Sequence, residues 1–314
     1  MLYNLRNRLN RARFAHQCAD ILATPPVRLD PSGAVSVLSQ IRSSDLLMYL
    51  IAVKSFALQI RPRAIYVLDD GSLGARDRAT LAAHLPGHEL QPIEAFRSPH
   101  CPHGGTWERL LAISDLVSRD YVVQLDADTL TLGPMPEVET CVRERRAFTI
   151  GTWDGQEPET MDERRTVALE HASRPGAHIQ VIAEASLNVL RGFEHMQYIR
   201  GCSAFTGFPR GSFARTYVEE LSSQMRDALG VRWSEWGTEQ FMSNVIIANT
   251  TDPVVLPHPR YCDCTKWSGS GSVFVHFIGK CRFAGNRYAR AARDMIVAWG
   301  RKSALREAET SRTS

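Results

Sequence analysis

The chain has 314 residues, of which 44% are hydrophobic and 23% charged, and its formal net charge is +3. That length allows one large domain or two, the composition supports a sizeable core, and so small a charge gives no electrostatic footprint for nucleic acid. The positive charge is almost all arginine, with lysine only at Lys54, Lys266, Lys280 and Lys302. Arginine grips phosphates in a bidentate fork, so part of this set suits a nucleotide or a lipid headgroup while the rest is solvated surface.

Arg6, Arg8, Arg11 and Arg13 break up the first residues, and no secretory signal is read there. The most apolar run, 46–53, is too short to cross a bilayer. The expected location is cytoplasmic. The seven cysteines are scattered without a CxxC pair, so reduced thiols are expected rather than a disulfide framework. A zinc site drawn from His100, Cys101, His103, Cys262 and Cys264 would match no standard spacing.

Residues 1–33 read as a helical extension, with Leu2, Leu5, Leu9, Phe14 and Leu22 between arginines and Pro25-Pro26 at its end. Such a helix packs on the domain or offers a basic amphipathic contact to the inner face of an anionic membrane. Residues 34–38 read as a first strand and 39–44 as a polar loop. Asp45 is expected to cap a helix carrying Leu46, Leu47, Leu50, Ile51, Ala57 and Leu58. A second apolar strand, 64–68, runs into Asp69-Asp70-Gly71-Ser72. Strand, helix and strand in this order make a βαβ unit, with ligands at the strand ends. Asp69 or Asp70 would there accept hydrogen bonds from a base or a ribose, or simply build a turn.

Residues 77–85 are expected as helix, 93–96 as a short strand, 100–105 as a flexible loop and 107–117 as helix with Arg109 in its first turn. The following stretch, 121–129, reads as an apolar strand ending in Asp126-Ala127-Asp128. On a strand, residues i and i+2 point to one side, so Asp126 and Asp128 can reach one cation together; the alternative is a strand running into an Asp-rich turn. Beyond Gly133-Pro134 the pattern is less regular. A strand is expected at 147–151, loop and helix at 154–171, and no assignment is made for 180–185. An aromatic segment follows at 205–208 and a helix at 213–229. Trp233 and Trp236 flank Glu235, and a helix at 238–247 puts Gln240 and Asn244 on one face. A late strand at 273–277 carries His276, followed by Gly279, Lys280 and Arg282. The polar tail after Arg301 is expected to fray.

Five pieces of this pattern share an order with a known family. They are Thr106-Trp107-Glu108-Arg109-Leu110, Asp126-Ala127-Asp128, Phe205-Thr206-Gly207-Phe208, Glu239-Gln240 with Asn244, and His276-Phe277-Ile278-Gly279 with Arg282. They resemble, in turn, the aromatic-x-Arg-Leu helix opening, the D-x-D motif, the Asn-Ser-Gly segment, the Asp-Gln pair and the late His-x-x-Gly-x-x-Lys motif of GT-A-fold glycosyltransferases. The likeness is nearest to retaining glycosyltransferase family 8 and its bacterial relatives. Thr206, Glu239, Arg282 and Phe283 depart from that pattern, and Asp69-Asp70-Gly71-Ser72 is nearer to inverting family 2.

The resemblance implies an α/β chain with one GT-A (Rossmann-like) domain and a mostly parallel central sheet flanked by helices. That domain would occupy 34–290, with 34–132 as the nucleotide-binding half and 133–290 as the acceptor half with the metal-closing segment; 291–314 would be a C-terminal helix and tail. It implies that Asp126, Asp128 and His276 hold Mn²⁺ or Mg²⁺ against the phosphates of a nucleotide-diphosphate sugar, a UDP-sugar first among them. Two carboxylates and an imidazole suit Mn²⁺ better. Lys280 and Arg282 would neutralise the leaving diphosphate, with Gly279 beside them. Gly207 would lie by the donor sugar, Asp69 or Asp70 on the base or ribose, and Arg109 on sugar or phosphate. Glu239 and Gln240 would face the anomeric carbon, Gln240 steadying it under retention or Glu239 serving as base under inversion. The acceptor would be a glycan, a lipid-linked glycan or a small molecule. Three other readings stand beside this one. A non-catalytic nucleotide- or glycan-binding module would bind without releasing sugar. A nucleotidyltransferase would need a glycine-rich loop that 39–43 does not have. A dinucleotide enzyme would need G-x-G-x-x-G after the first strand, which is absent.

Overall fold

The computed structural model describes residues 2–313, with side chains for 8–279 and 281–301. The first half alternates strand and helix: α1 (Leu2–Gln17), β1 (Val35–Ile41), α2 (Leu46–Gln59), β2 (Ala64–Asp69), α3 (Ala75–His84), β3 (Glu89–Pro92) and α4 (Trp107–Leu116). Next come β4 (Tyr121–Leu125), β5 (Thr129–Thr131), α5 (Pro136–Glu144), β6 (Phe148–Ile150), β7 (Glu159–Thr160), α6 (Met161–Ala172) and α7 (Ile179–Ala185). The chain then forms β8 (Gln197–Tyr198), β9 (Cys202–Phe208), α8 (Arg215–Leu229), α9 (Thr238–Ala248) and β10 (Val254–Leu256). It closes with β11 (Tyr261–Asp263), β12 (Phe274–His276) and α10 (Arg287–Thr313).

β1, β2 and β4 are apolar because both of their faces are covered, as parallel strands require. Successive side chains alternate between two cores. Val35, Val37 and Val123 face the layer of α2 and α10, while Leu38 and Val122 face α4 and α9. The main sheet has seven strands in the order β10-β6-β9-β4-β1-β2-β3. β9 alone runs antiparallel to its neighbours β4 and β6; the other pairings are parallel. From β1 the order grows one way to β2 and β3 and the other way to β4. The gap between the carboxyl ends of β1 and β4 is therefore a topological switch point, where open α/β sheets take their ligands.

A second sheet, β11-β12-β5, leans on the first. Phe205 of β9 stacks on Phe274 of β12 with ring centroids 4.0 Å apart. The N-terminal segment is pinned to the domain: Phe14 packs on Tyr288, and the buried Lys54 donates to Thr24 Oγ1 at 2.6 Å and Pro25 O at 2.7 Å. No helix among the described residues is long and apolar enough to cross a membrane.

Several local expectations are corrected. β1 runs on to Ile41, because Ser39 and Gln40 belong to the ladder with β2 instead of a loop. Asp45 stands at the N-cap of α2 but its side chain makes no cap hydrogen bond; its carboxylate is taken by Arg11 and Arg42, each at 2.7 Å. Residues 93–96 form a 3₁₀ turn, since the strand beside β2 is the earlier β3. α10 begins at Arg287 and its backbone is helical to Thr313. Cys264 and Cys281 form a disulfide with Cα atoms 6.0 Å apart. The segments after β11 and β12 meet only because those strands pair, which no spacing of cysteines announces. The other cysteines are free.

Gly207 sits inside the sheet, where a Cβ would lie 2.2 Å from Phe148 Cε1 and 2.7 Å from the Tyr121 hydroxyl. Both rings are locked in the core. Gly207→Ala is expected to destabilise the protein by about 1–3 kcal/mol, read as a lower urea midpoint at unchanged slope.

Candidate active site

β4 ends at Leu125, and the chain turns through Asp126, Ala127 and Asp128 before returning as β5. The two carboxylates thus converge through a turn, not through the two-residue repeat of a strand. Each end of the turn is tied down. The Asp126 N–H donates to Ala204 O at 2.9 Å, and Asp128 O accepts the Phe277 N–H at 2.8 Å. β12 pairs antiparallel with β5 so that His276 sits opposite Thr129. This register brings His276 Nε2 to 3.4 Å from Asp128 Oδ1. Ligand atoms of Asp126, Asp128 and His276 lie within 4.8 Å of one another, the one such cluster found among the described residues. No cysteine–histidine zinc cluster is found there, and Cys264 is consumed in the disulfide.

Cations surround the acidic pair. Arg109, 4% exposed, pairs with Asp126 and lies 3.3 Å from Glu239. Arg282 pairs with Asp128. Burial pushes the Asp126 carboxyl above its usual range, against the pull of Arg109. Burial pushes Asp128 the same way, but His276 and Arg282 outweigh it and hold the carboxyl down at about 2. Burial disfavours an imidazolium at His276, yet Cys202 and Asp128 together keep it well above the ordinary histidine range. Cys202 Sγ lies 3.3 Å from Nδ1, on the side of the ring away from Asp128, so Nε2 is the nitrogen presented to the acidic pair.

The donor set fits a divalent cation. It offers two carboxylates and one imidazole nitrogen, the mixed oxygen and nitrogen set suited to Mn²⁺. Arg282 neutralises Asp128 from the cavity lining, while Arg109 is buried between Asp126 and Glu239.

These groups form the floor of a cavity of about 490 Å³ at the switch point. Gln40 and Arg42 line it from the end of β1, residues 150–152 from the end of β6, and 202–204 from the start of β9. Of the residues singled out in the sequence, Arg109, Asp126, Asp128, Glu239, Gln240, His276, Gly279 and Arg282 all line this one cavity. Others do not. The Asp69 carboxylate is spent on its own turn, accepting from Gly71 N–H at 2.8 Å, from Leu73 N–H at 3.2 Å and from Arg78. Asp70 is exposed and accepts the Ser72 N–H at 3.0 Å. Gly207 is buried sheet packing, and the part of its strand that reaches the cavity is Cys202-Ser203-Ala204. The Lys280 side chain lies outside the described residues. Asn244 holds structure: its Oδ1 accepts the Gly201 N–H at 3.1 Å.

Gln40, Arg42 and Cys202 were not singled out from sequence for this site. Gln40 is the informative omission. Its Oε1 is sealed from solvent without a hydrogen-bond partner, an arrangement that suits a donor from a ligand. Extending the first strand by three residues, to Ile41, would have carried Gln40 to the strand end where ligands bind.

No family model and no curated sequence matches the chain. Solved structures similar to it include the galactosyltransferase LgtC in complex with donor and acceptor sugar analogues, at 13% identity and TM-score 0.47 over 82% of this chain and 95% of that one. Mouse xyloside xylosyltransferase 1 is similar at 12% identity and TM-score 0.45, over 79% and 98%. The glycosyltransferase GlyE of Streptococcus pneumoniae is similar at 12% identity and TM-score 0.48, over 85% and 63%.

Removing a first ligand should cost at least what loss of an outer partner costs, about tenfold in metal affinity. His276→Ala and Asp128→Asn are each expected to weaken Mn²⁺ binding by that factor or more, measured by electron paramagnetic resonance of free Mn²⁺ with folding checked by circular dichroism. An unchanged titration for either would remove that residue from the ligand set.

Proposed function

We propose that the chain is a metal-dependent glycosyltransferase that moves a sugar from a nucleotide-diphosphate sugar, a UDP-sugar foremost, to an acceptor hydroxyl with retention of configuration. The carrying observation is the convergence of Asp126, Asp128 and His276, with Arg109 and Arg282, on the floor of a single cavity at the switch point. A polyanion with a divalent counterion is what such a set is suited to bind.

When bound, Mn²⁺ supplies Lewis-acid stabilisation of the departing diphosphate. Arg282 sits beside that position and offers fixed positive charge to the same oxygens. Arg109 is buried between the Asp126 turn and α9 and keeps the two in register. Gln40 and Arg42 lie at the end of β1, where the nucleoside would rest, and take the role first assigned to Asp69 and Asp70.

Retention is supported by the state of the carboxylates. An inverting enzyme needs a free one to take the acceptor proton. Glu239, 2% exposed, is hemmed in by Thr106 Oγ1 at 2.9 Å, Ser243 Oγ at 3.1 Å, Arg109 at 3.3 Å and Ser203 Oγ at 3.4 Å. Asp45 is held by Arg11 and Arg42, and Asp263 by Thr265. Among the described residues, the carboxylates lining the cavity other than Asp263 are thus paired with arginine, and Asp263 is engaged through Oδ1 alone. Gln240, in the first turn of α9, lines the cavity with an amide and remains the group for the anomeric centre.

The test is incubation with a panel of nucleotide sugars and Mn²⁺, with proton NMR of the first sugar released or transferred. The donor's anomeric configuration is expected, and the opposite anomer would overturn retention. Glu239→Gln is expected to lower turnover because its amide nitrogen cannot accept from the buried Arg109, while the pH dependence of the rate stays as in wild type. A loss of about a hundredfold or more together with disappearance of one ionisation from the pH–rate profile would make Glu239 the base.

A further inference from the structure

The two tryptophans around Glu235 have opposite fates. Trp233 is fully buried against Trp107 and Phe241. Trp236 is 73% exposed and lines the same cavity as the acidic cluster. Its placement is enforced. The next residue, Gly237, has φ +111°, and a Cβ there would stand 2.7 Å from His178 Cε1. That close approach seats His178 beside Trp236, with ring planes at 85° and centroids 6.0 Å apart. His178 is itself fixed, its Nδ1 accepting the Gln180 N–H at 3.2 Å.

We propose that Trp236 is the platform of an acceptor subsite that takes a pyranose ring of a carbohydrate. This rests on the glycosyl-transfer reading above and narrows its acceptor. An indole face held open to solvent at a cavity mouth matches the C–H face of a sugar ring, whose hydroxyl rim needs polar groups close by. Those groups are present. His178 meets the indole, and Gln240, which donates to Gln180 Oε1 at 3.1 Å, lines the cavity from the helix that begins just after Trp236. Met48, Ile150 and Ile278 also line the cavity, but the ring packed against Trp236 is the imidazole of His178, which favours a hydroxyl-bearing occupant there over an aliphatic chain. The platform stands on the turn leading into α9, the helix that carries Glu239 and Gln240, so an acceptor stacked there is delivered to the donor side of the same cavity.

The experiment uses the full chain with Mn²⁺ and UDP present. Saturation-transfer NMR and tryptophan fluorescence are recorded with maltose, cellobiose and lactose, and separately with farnesyl phosphate, for wild type, Trp236→Ala and Trp236→Phe. Wild type is expected to bind at least one disaccharide, Trp236→Ala to weaken it at least about tenfold, and Trp236→Phe to recover part of the loss. Binding of UDP with Mn²⁺ is measured in parallel and is expected to persist in all three. Equal disaccharide binding by wild type and Trp236→Ala would overturn the subsite while leaving the donor reading intact. So would a wild type that binds farnesyl phosphate and none of the sugars, or none of the four probes. Failure of the wild type to bind UDP with Mn²⁺ would overturn UDP as the donor nucleotide, and the subsite would then be judged on the disaccharide arm alone.

Discussion

The site depends on one strand pairing. β12 lies antiparallel to β5 with His276 opposite Thr129, and the Phe277 N–H continues that ladder onto Asp128 O. Without this register the late histidine and the acidic turn would have no reason to meet. Arg282, 154 positions beyond Asp128, is carried in by the same pairing. Neighbouring contacts reinforce it. Cys264 N–H donates to His276 O at 2.8 Å, and the disulfide from Cys264 to Cys281 closes the loop that contains β12. Phe274 stacks on Phe205 and joins the small sheet to the large one. The segment bearing one predicted metal ligand is thus fixed by backbone, covalent and aromatic contacts together.

A second constraint is electrostatic. Five charged groups, Arg109, Asp126, Asp128, Glu239 and Arg282, share one largely buried region with His276. Carboxylates so close together in a low-dielectric setting repel one another unless cations stand between them. Arg109 does so for Asp126 and Glu239, and Arg282 with His276 does so for Asp128. Arg109 and Arg282 thus hold three neighbouring carboxylates together in a largely buried setting.

The sheet topology explains why these groups face a common space. β9 enters the sheet antiparallel, so its first residues, not its last, lie at the end where β1, β4 and β6 finish. This is why Cys202-Ser203-Ala204 reaches the cavity, and why the later Phe205-Thr206-Gly207 lies within the sheet. A motif aligned by residue type alone slips by three positions here because the orientation of the strand is a property of the whole sheet.

What the sequence determined by itself was local chemistry and period. Apolar runs marked β1, β2 and β4, helical spacing marked α2, α4 and α9, and the acidic turn, the late histidine and the arginines near them were recognisable as residue types suited to a metal and a phosphate. What only the tertiary structure decided was which of them share a space. Asp69 and Asp70 sit at a strand end as the sequence suggests, but their carboxylates satisfy nearby backbone donors, a competition that no pattern reveals. Gln40 looked like loop because its strand runs three residues past its last aliphatic pair. The Cys264–Cys281 bond, the seating of Trp236 against His178 and the meeting of His276 with Asp128 all join segments far apart in the chain or in different layers. Their physical cause is strand pairing and sheet packing, which act between segments and leave no periodic mark within either one.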